Sequence, residues 1–139
     1  MSVLLDTGVI FAYLNREDAR HGEARDLMRR IARKEFGAPF VTDHVMDELF
    51  VLIRSRTRSA ALEEAAQRWL PLPDPTLKGL SVVSLGTDVL EPAWETFRKY
   101  RDQGISFTDA TLMVTLRERA IDRLATLDLR LRKLAPCAE

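Results

Sequence analysis

The chain has 139 residues, which is enough for one domain with a hydrophobic core but too few for two independent ones. Its apolar fraction of 46% and charged fraction of 30% are typical of a globular protein and exclude a disordered or fibrous chain. The 21 basic residues balance the 21 acidic ones, so net charge does not indicate a nucleic-acid-binding protein, and a single cysteine excludes an internal disulfide.

Targeting signals are also missing from the sequence. No apolar run approaches the roughly 18 residues needed to span a membrane, and no basic leader precedes the first apolar residues. We therefore expect a cytoplasmic protein without membrane association, folded as a single domain over residues 1–139.

The first third of the chain predicts two strands and two helices. Residues 3–5 form a short apolar run that ends at Asp6, and apolar residues follow it at helical spacing, which predicts a strand, a turn and a helix. A second helix is predicted for residues 23–36, ending at Gly37, and a second strand for residues 38–41.

The middle of the chain predicts two helices, a connector and a strand. The third helix should begin with Thr42 or Asp43 as its N-cap, and the fourth should cover residues 59–69. Three prolines within residues 71–75 predict a connector, because proline fixes φ and removes an N–H donor. A third strand is predicted for residues 80–85.

Three further elements follow before the C-terminal end. Asp88 and Glu91 resemble a capping box that opens a fifth helix, which Gly104 ends. A sixth helix is predicted to begin around Asp109, and a fourth strand is predicted for residues 124–126.

A short basic helix over residues 129–134 completes the pattern. Short strands that alternate with helices, without hairpin signals, imply right-handed crossovers and a parallel sheet. The predicted fold class is therefore α/β, with a parallel sheet of four to five short strands sandwiched by helices. In such sheets, ligands bind beyond the carboxyl ends of the strands.

Four acidic residues are candidates for a site at that edge. Asp6 and Asp128 follow predicted strands, Asp109 stands at a helix start, and Glu48 lies within the third helix. Helix capping is the alternative explanation for each aspartate, since an N-cap aspartate stabilises a helix by about 1 kcal/mol. Capping cannot explain Glu48, for which the alternative is an ordinary surface glutamate.

The chemistry of carboxylates connects these residues to a metal. Magnesium and manganese ions take oxygen ligands, and carboxylates brought together repel one another unless a cation is present. A metal held in this way lowers the pKa of bound water and stabilises the charge that develops on a phosphodiester. The acidic residues thus outline a nuclease site.

Five short segments carry a family resemblance, and together they extend over nearly the whole chain: residues 3–7, 12–14, 47–49, 106–110 and 125–128. In their order and spacing they resemble the PIN-domain ribonucleases, and in particular the VapC-like toxins of VapBC toxin–antitoxin modules.

The resemblance implies a metal-dependent ribonuclease that uses Mg²⁺ or Mn²⁺, with Asp6, Glu48, Asp109 and Asp128 as catalytic and metal-binding residues. It implies that the hydroxyl groups of Thr7, Thr108 and Thr126 support the metal-binding residues or contact the substrate. It also implies an RNA substrate, a homodimer and an inhibitory VapB-like antitoxin partner.

Two surface features extend these expectations. The apolar residues within 49–53 and 62–69 exceed what one small core needs, which supports the predicted homodimer. Arginine supplies 17 of the 21 basic residues, and we expect Arg16, Arg54 and Arg130 to contact the RNA backbone. The alternative is that these arginines only solvate the surface.

Other functions are less compatible with the sequence. A phosphatase of the haloacid-dehalogenase type needs a second aspartate two residues after Asp6, where this chain has Gly8. A receiver-type signalling domain needs paired acidic residues at the first strand. Two alternatives stay open: a non-catalytic PIN-like scaffold that binds RNA or protein, and an RNA-processing nuclease outside a toxin module.

Overall fold

The computed structural model describes residues 1–69 and 80–139, and the predicted connector at residues 71–75 lies outside them. In the described residues, four parallel strands form one sheet: β1 (Ser2–Leu5), β2 (Ala38–Thr42), β3 (Ser81–Val83) and β4 (Arg123–Ala125). Their order across the sheet is β3-β2-β1-β4. The predicted parallel sheet of short strands is confirmed.

Seven helices flank this sheet in the described part of the chain. They are α1 (Thr7–Leu14), α2 (His21–Ala32), α3 (Asp43–Arg56), α4 (Ala60–Trp69), α5 (Leu90–Lys99), α6 (Phe107–Glu118) and α7 (Leu129–Leu134). Helix α1 packs against α2 and α3, and α5 packs against α6. None of the helices in the described residues is both long and apolar enough to cross a membrane.

Strand β1 is at the centre of the fold. Its residue Leu4 pairs with Phe40 of β2 on one side and with Leu124 of β4 on the other. Val3, Leu4 and Leu5 are completely buried, as expected for a parallel strand covered on both faces. Asp6, the residue that directly follows β1, is therefore anchored to the core.

Side-chain caps define where several helices begin. Thr42 accepts a hydrogen bond from the amide of Val45 at 3.1 Å and caps α3, which confirms one of the two predicted N-caps. The hydroxyl of Ser59 accepts from the amide of Leu62 at the start of α4. The predicted capping box at Asp88 and Glu91 is wrong, because the chain enters α5 through a 3-10 turn at Thr87–Val89 without a side-chain cap.

Helix α2 ends four residues earlier than the predicted end at residue 36. Lys34 adopts a left-handed φ of 63°, and the amides of Lys34 and Glu35 bond to the carbonyls of Ile31 and Arg30 in a Schellman motif. Gly37, which the sequence predicts as the helix end, instead lies directly before β2, where its backbone passes close to Met1. Its φ is 82° and a Cβ there would lie 1.9 Å from the carbonyl oxygen of Met1.

The apolar residues of α3 belong mostly to the core. Leu49 and Ile53 are completely buried, whereas Val51 is 61% exposed. The apolar supply that suggested an interface along residues 49–53 is thus largely used within the domain. Larger exposed apolar side chains occur on α5, at Leu90 and Trp94.

The chain beyond α7 adds very little to the sheet. Leu124 of β4 makes one parallel bridge with Cys137, through hydrogen bonds that link Leu124 with Pro136 and Ala138. The fifth strand allowed by the sequence is therefore reduced to a single bridge.

Ala120 follows α6 with a left-handed φ of 52°. This conformation costs free energy in a residue that carries a Cβ. We predict that Ala120→Gly raises the free energy of unfolding by roughly 0.5–1 kcal/mol, since glycine has no Cβ to strain this backbone. Urea denaturation measures the change. The control Ala65→Gly, within α4, should lower stability by about 1 kcal/mol, and a loss of stability in both variants would contradict the prediction.

Candidate active site

A cleft opens at the carboxyl end of the sheet, where β1 leads into α1 and β4 leads toward α7. Its walls include Asp6, Glu48, Asp109 and Asp128, so the structure brings together the four acidic residues chosen from the sequence. Its volume of about 700 Å³ lies within the usual range of small-ligand sites. A somewhat larger groove between α5 and α6 contains none of the four.

Asp6 occupies the most restrictive position in the cleft. It directly follows β1, its amide donates to the carbonyl of Ala125 at 3.0 Å, and its side chain is buried. Burial, together with the charges of Asp109 and Glu48, raises the pKa of Asp6 to about 7, against the effect of a 2.7 Å hydrogen bond from the Thr126 hydroxyl. The ionised form is therefore costly without a neighbouring cation.

Asp109 has a structural role and a place in the cleft at the same time. It forms a capping box with Ser106, whose amide donates to Asp109 Oδ2 at 2.9 Å and whose hydroxyl accepts from the Asp109 amide at 3.0 Å. Burial raises its pKa despite these bonds, and the charges of Asp128 and Glu48 act in the same direction. Capping and a position in the cleft are thus compatible for this residue.

Glu48 reaches the cleft from the middle of α3. It is half-buried, whereas its neighbour Asp47 is exposed. Leu52 and Ser55, which follow Glu48 by four and seven residues, line the same cleft, as the helical period requires. The position of Glu48 on α3 therefore separates it from an ordinary surface glutamate.

Asp128 differs from the other acids because it is paired with an arginine. It caps α7 by accepting from the amide of Arg130 at 2.8 Å. The guanidinium of Arg130 also donates to both carboxylate oxygens, from Nε at 3.2 Å and from Nη2 at 2.9 Å. Arg130 holds the pKa of Asp128 below its usual value, so this carboxylate is ionised.

The three predicted threonines take different positions. Thr7 lines the cleft, and its buried hydroxyl has no hydrogen-bond partner in the described residues. The Thr126 hydroxyl links two acids, because it donates to Asp6 and accepts from the amide of Asp128 at 3.0 Å. Thr108 does not line the cleft but a smaller adjoining concavity, to which Glu48 also contributes.

Only one of the three arginines chosen from the sequence lines the cleft, namely Arg130. Arg16 is exposed in the turn after α1 and lies outside the cleft walls. Arg54 lies six residues after Glu48, about 240° around the helix, and forms an ion pair with Glu63 of α4. The helical period counted from Glu48 therefore indicates that Arg54 does not face the cleft.

Two arginines that the sequence analysis missed do line the cleft, Arg20 and Arg56. Arg56 follows Glu48 by eight residues, about 80° around α3, so its position could have been found from the same helical period. Its guanidinium has no ion-pair partner among residues 1–69 and 80–139. Arg20 is paired with Glu23 and also donates to the carbonyl of Leu127.

The donor set of the cleft suits a hard divalent cation. Asp6, Glu48 and Asp109 supply carboxylate oxygens, and the buried hydroxyl of Thr7 has no hydrogen-bond partner among the residues that the structure describes. The structure contains no group of three or more His, Cys, Asp or Glu arranged to hold a metal within its described residues. Magnesium is commonly bound by one or two protein carboxylates, with water and substrate phosphate completing its shell, and the cleft fits that kind of binding.

Comparison with known families agrees with this geometry. The family model described as PIN domain matches residues 3–135. The chain belongs to the PIN-domain family. The match covers β1 from Val3 onward, the strands β2, β3 and β4, and all four acids of the cleft.

Named relatives of this PIN domain are nucleases. It is 26% identical over 125 residues to "VapC ribonuclease" of Archaeoglobus fulgidus, covering 85% of this chain and 72% of the relative. It is 28% identical over 127 residues to "23S rRNA-specific endonuclease VapC20" of Mycobacterium tuberculosis, covering 91% of this chain and 88% of the relative.

Solved structures share the fold of this PIN domain. The crystal structure of Mycobacterium tuberculosis VapC20, a "Sarcin-Ricin loop cleaving toxin", superposes with a TM-score of 0.77 at 26% identity and covers 95% of this chain and 94% of that one. VapBC2 of Rickettsia felis, bound to a promoter DNA fragment, gives a TM-score of 0.64 at 15% identity, with coverages of 98% and 94%, and shows the fold alone.

The raised pKa of Asp6 predicts how the stability of the metal-free protein changes with pH. Between 3.8 and about 7, the unfolded state ionises while folded Asp6 keeps its proton. The free energy of unfolding should therefore fall as pH rises through this window and level off above it, by about 1.4 kcal/mol for each pKa unit of difference. Asp109, whose pKa is also raised, acts in the same direction.

The variant Asp6→Asn tests whether Asp6 causes this pH dependence of stability. The asparagine cannot ionise, but its amide oxygen can still accept the hydrogen bond from Thr126. Urea denaturation in EDTA at about pH 5 and pH 8 should show Asp6→Asn gaining stability over the parent as pH rises. An equal stability difference at both pH values would mean that Asp6 ionises normally in the folded protein.

Proposed function

We propose that this chain, a single PIN domain over residues 1–139, is an Mg²⁺- or Mn²⁺-dependent endoribonuclease and the toxin of a type II toxin–antitoxin module. The observation that carries the proposal is the cleft in which Asp6, Glu48, Asp109 and Asp128 meet at the carboxyl edge of the sheet. The relatives named as VapC ribonucleases support the same activity.

The acids of the cleft have separate roles in this proposal. Asp6 and Asp109 are the buried carboxylates with raised pKa values, so they gain most from a bound cation, and Glu48 completes the set from α3. When bound, the metal supplies an activated water and stabilises negative charge on the phosphodiester. Thr126 keeps Asp6 in a fixed orientation through its 2.7 Å hydrogen bond.

Hydrolysis at this site joins a water oxygen to phosphorus and breaks one P–O bond of the RNA backbone. A carboxylate facing the cleft, such as Glu48, is placed to accept a proton from that water, because it is half-buried and carries no ion pair among the described residues. The hydroxyl of Thr7 is buried in the wall of the cleft and has no hydrogen-bond partner in the described residues, so it would have to turn toward the cleft to donate to a phosphate oxygen.

RNA is held by arginines around these acids. Arg56 and Arg130 line the cleft, where a guanidinium can neutralise backbone phosphates. The sarcin–ricin hairpin is the first substrate to test, because VapC20 of Mycobacterium tuberculosis is described as cleaving it. A cleavage map on total RNA extends the search to other targets.

The proposed toxin also has protein partners. We expect a VapB-like antitoxin as one partner, because the VapBC2 structure of Rickettsia felis contains a chain with the fold of this protein. We further propose a homodimer. Leu90 and Trp94 of α5, four residues apart and 46% and 49% exposed, provide apolar surface of the kind that protein interfaces cover.

Asp109→Asn should abolish metal-dependent cleavage while leaving the fold intact. The amide retains an acceptor for the Ser106 amide, so the capping box survives, but a charged metal ligand is lost and the cleavage rate should fall by two or more orders of magnitude. Without metal, the variant should melt at the same temperature as the parent or higher, because one buried charge is gone.

The melting temperature separates a metal ligand from a purely structural cap. Added Mn²⁺ should raise that of the parent more than that of Asp109→Asn, since a ligand specific for the folded state stabilises it. Asp102→Asn, in the exposed turn before α6, is the control and should behave as the parent. A folded Asp109→Asn that cleaves at the parental rate would refute the role of Asp109, and a parent that binds RNA without cleaving it would indicate a scaffold.

Arg56→Gln should weaken RNA binding, whereas Arg54→Gln should not. The two arginines lie on the same helix, but only Arg56 lines the cleft, while Arg54 is paired with Glu63. Loss of one phosphate contact should reduce the slope of log affinity against log salt by about 0.7–0.9. Fluorescence anisotropy over a salt series measures it, and equal slopes for both variants would place Arg56 outside the RNA path.

A further inference from the structure

Asp128, Arg130 and Gly104 form a connected group at one edge of the cleft. Arg130 donates to both oxygens of Asp128, at 3.2 Å and 2.9 Å, and its Nη1 donates to the carbonyl of Gly104 at 2.7 Å. Gly104 lies just before Ser106, the N-cap of α6. The guanidinium therefore connects the start of α7 to the loop that leads to Asp109.

These contacts leave part of the guanidinium available. Arginine has five N–H groups, and the contacts with Asp128 and Gly104 use one on Nε, one on Nη1 and one on Nη2. One N–H remains on each terminal nitrogen, so two donors are left for the oxygens of a phosphate. The Arg130 side chain is 51% exposed and lines the cleft, so this pair is accessible to a ligand.

The oxygens of Asp128 are correspondingly occupied. Oδ1 accepts from both the amide and the Nε of Arg130, and Oδ2 accepts from Nη2. Asp6 and Asp109, in contrast, receive hydrogen bonds from hydroxyl and amide groups and no ion pair in the described chain. Among the four acids of the cleft, Asp128 is the one whose charge is already neutralised by the protein.

We propose that Asp128 is a positioning residue, whose carboxylate orients the guanidinium of Arg130 so that its two remaining N–H groups bind a phosphate of the RNA in the cleft. The inference rests on the proposed ribonuclease function and assigns Asp128 to substrate binding, which replaces its expected role as a metal ligand. Gly104 fits the same arrangement, since a Cβ there would lie 3.3 Å from Nη1 of Arg130.

A positioning role and a purely electrostatic role of Asp128 predict opposite changes in RNA affinity when its charge is removed. Removing a negative charge from the cleft should strengthen the binding of a polyanion if Asp128 acts only through its charge. If Asp128 acts by orienting Arg130, the same removal should weaken binding, because the phosphate then has to order a mobile side chain. Asp128→Asn is the appropriate change, since asparagine is also a good N-cap for α7.

The experiment measures binding of a fluorescein-labelled sarcin–ricin hairpin RNA by anisotropy in EDTA, over a salt series. Asp128→Asn and Arg130→Ala should each weaken binding roughly tenfold, the effect of losing a hydrogen bond to a charged group. The double variant should bind no more weakly than Arg130→Ala alone, because both changes remove the same contact. Arg130→Lys should preserve the salt slope without restoring affinity, since lysine lacks the planar pair of donors.

The matched control is Glu95→Gln, which removes an acid from an exposed pair with Arg98 outside the cleft and should leave affinity unchanged. Steady-state cleavage in Mg²⁺ gives a second readout, in which Asp128→Asn should raise KM more than it lowers kcat. Tighter RNA binding by Asp128→Asn, or additive losses in the double variant, would overturn the inference. A parent protein that neither binds nor cleaves RNA would instead contradict the proposed function.

Discussion

The burial of Asp6 is the constraint on which the rest of the site depends. Its amide donates to the carbonyl of Ala125 in β4, it follows a strand whose last three residues are completely buried, and its own side chain is buried at the cleft. Burial raises its pKa to about 7, although the Thr126 hydroxyl donates a hydrogen bond that acts in the opposite direction. An ionised carboxylate in this position destabilises the domain, and a bound cation would relieve that destabilisation.

Two of the remaining acids show that a helix cap and a functional position are compatible. Asp109 closes a capping box with Ser106, and Asp128 caps α7, yet both side chains line the cleft. The N-terminal ends of α6 and α7 thus anchor their carboxylates through local hydrogen bonds. The two residues nevertheless differ in their electrostatics, since burial raises the pKa of Asp109 whereas Arg130 lowers that of Asp128.

The sequence predicted the parallel sheet and the meeting of the four acids, because strand ends and helix starts determine which edge those residues share. It could not predict local reversals that use unusual residues, such as the left-handed Lys34 that ends α2. Arg54 does not line the cleft whereas Arg56 does, a difference that follows from their angles to Glu48 around α3. The pairing of Arg130 with Asp128 and Gly104 depends on side-chain geometry that no spacing rule supplies.

We propose that the buried carboxylates of Asp6 and Asp109 hold a divalent cation at the end of β1. Anomalous scattering from crystals soaked in Mn²⁺ is the sharpest measurement, because the signal locates the ion independently of any activity. A manganese peak is expected in the cleft, in contact with the carboxylates of Asp6 and Asp109. A cleft without a peak at saturating Mn²⁺, or a peak bound only by residues outside it, would show that these carboxylates do not hold the cation.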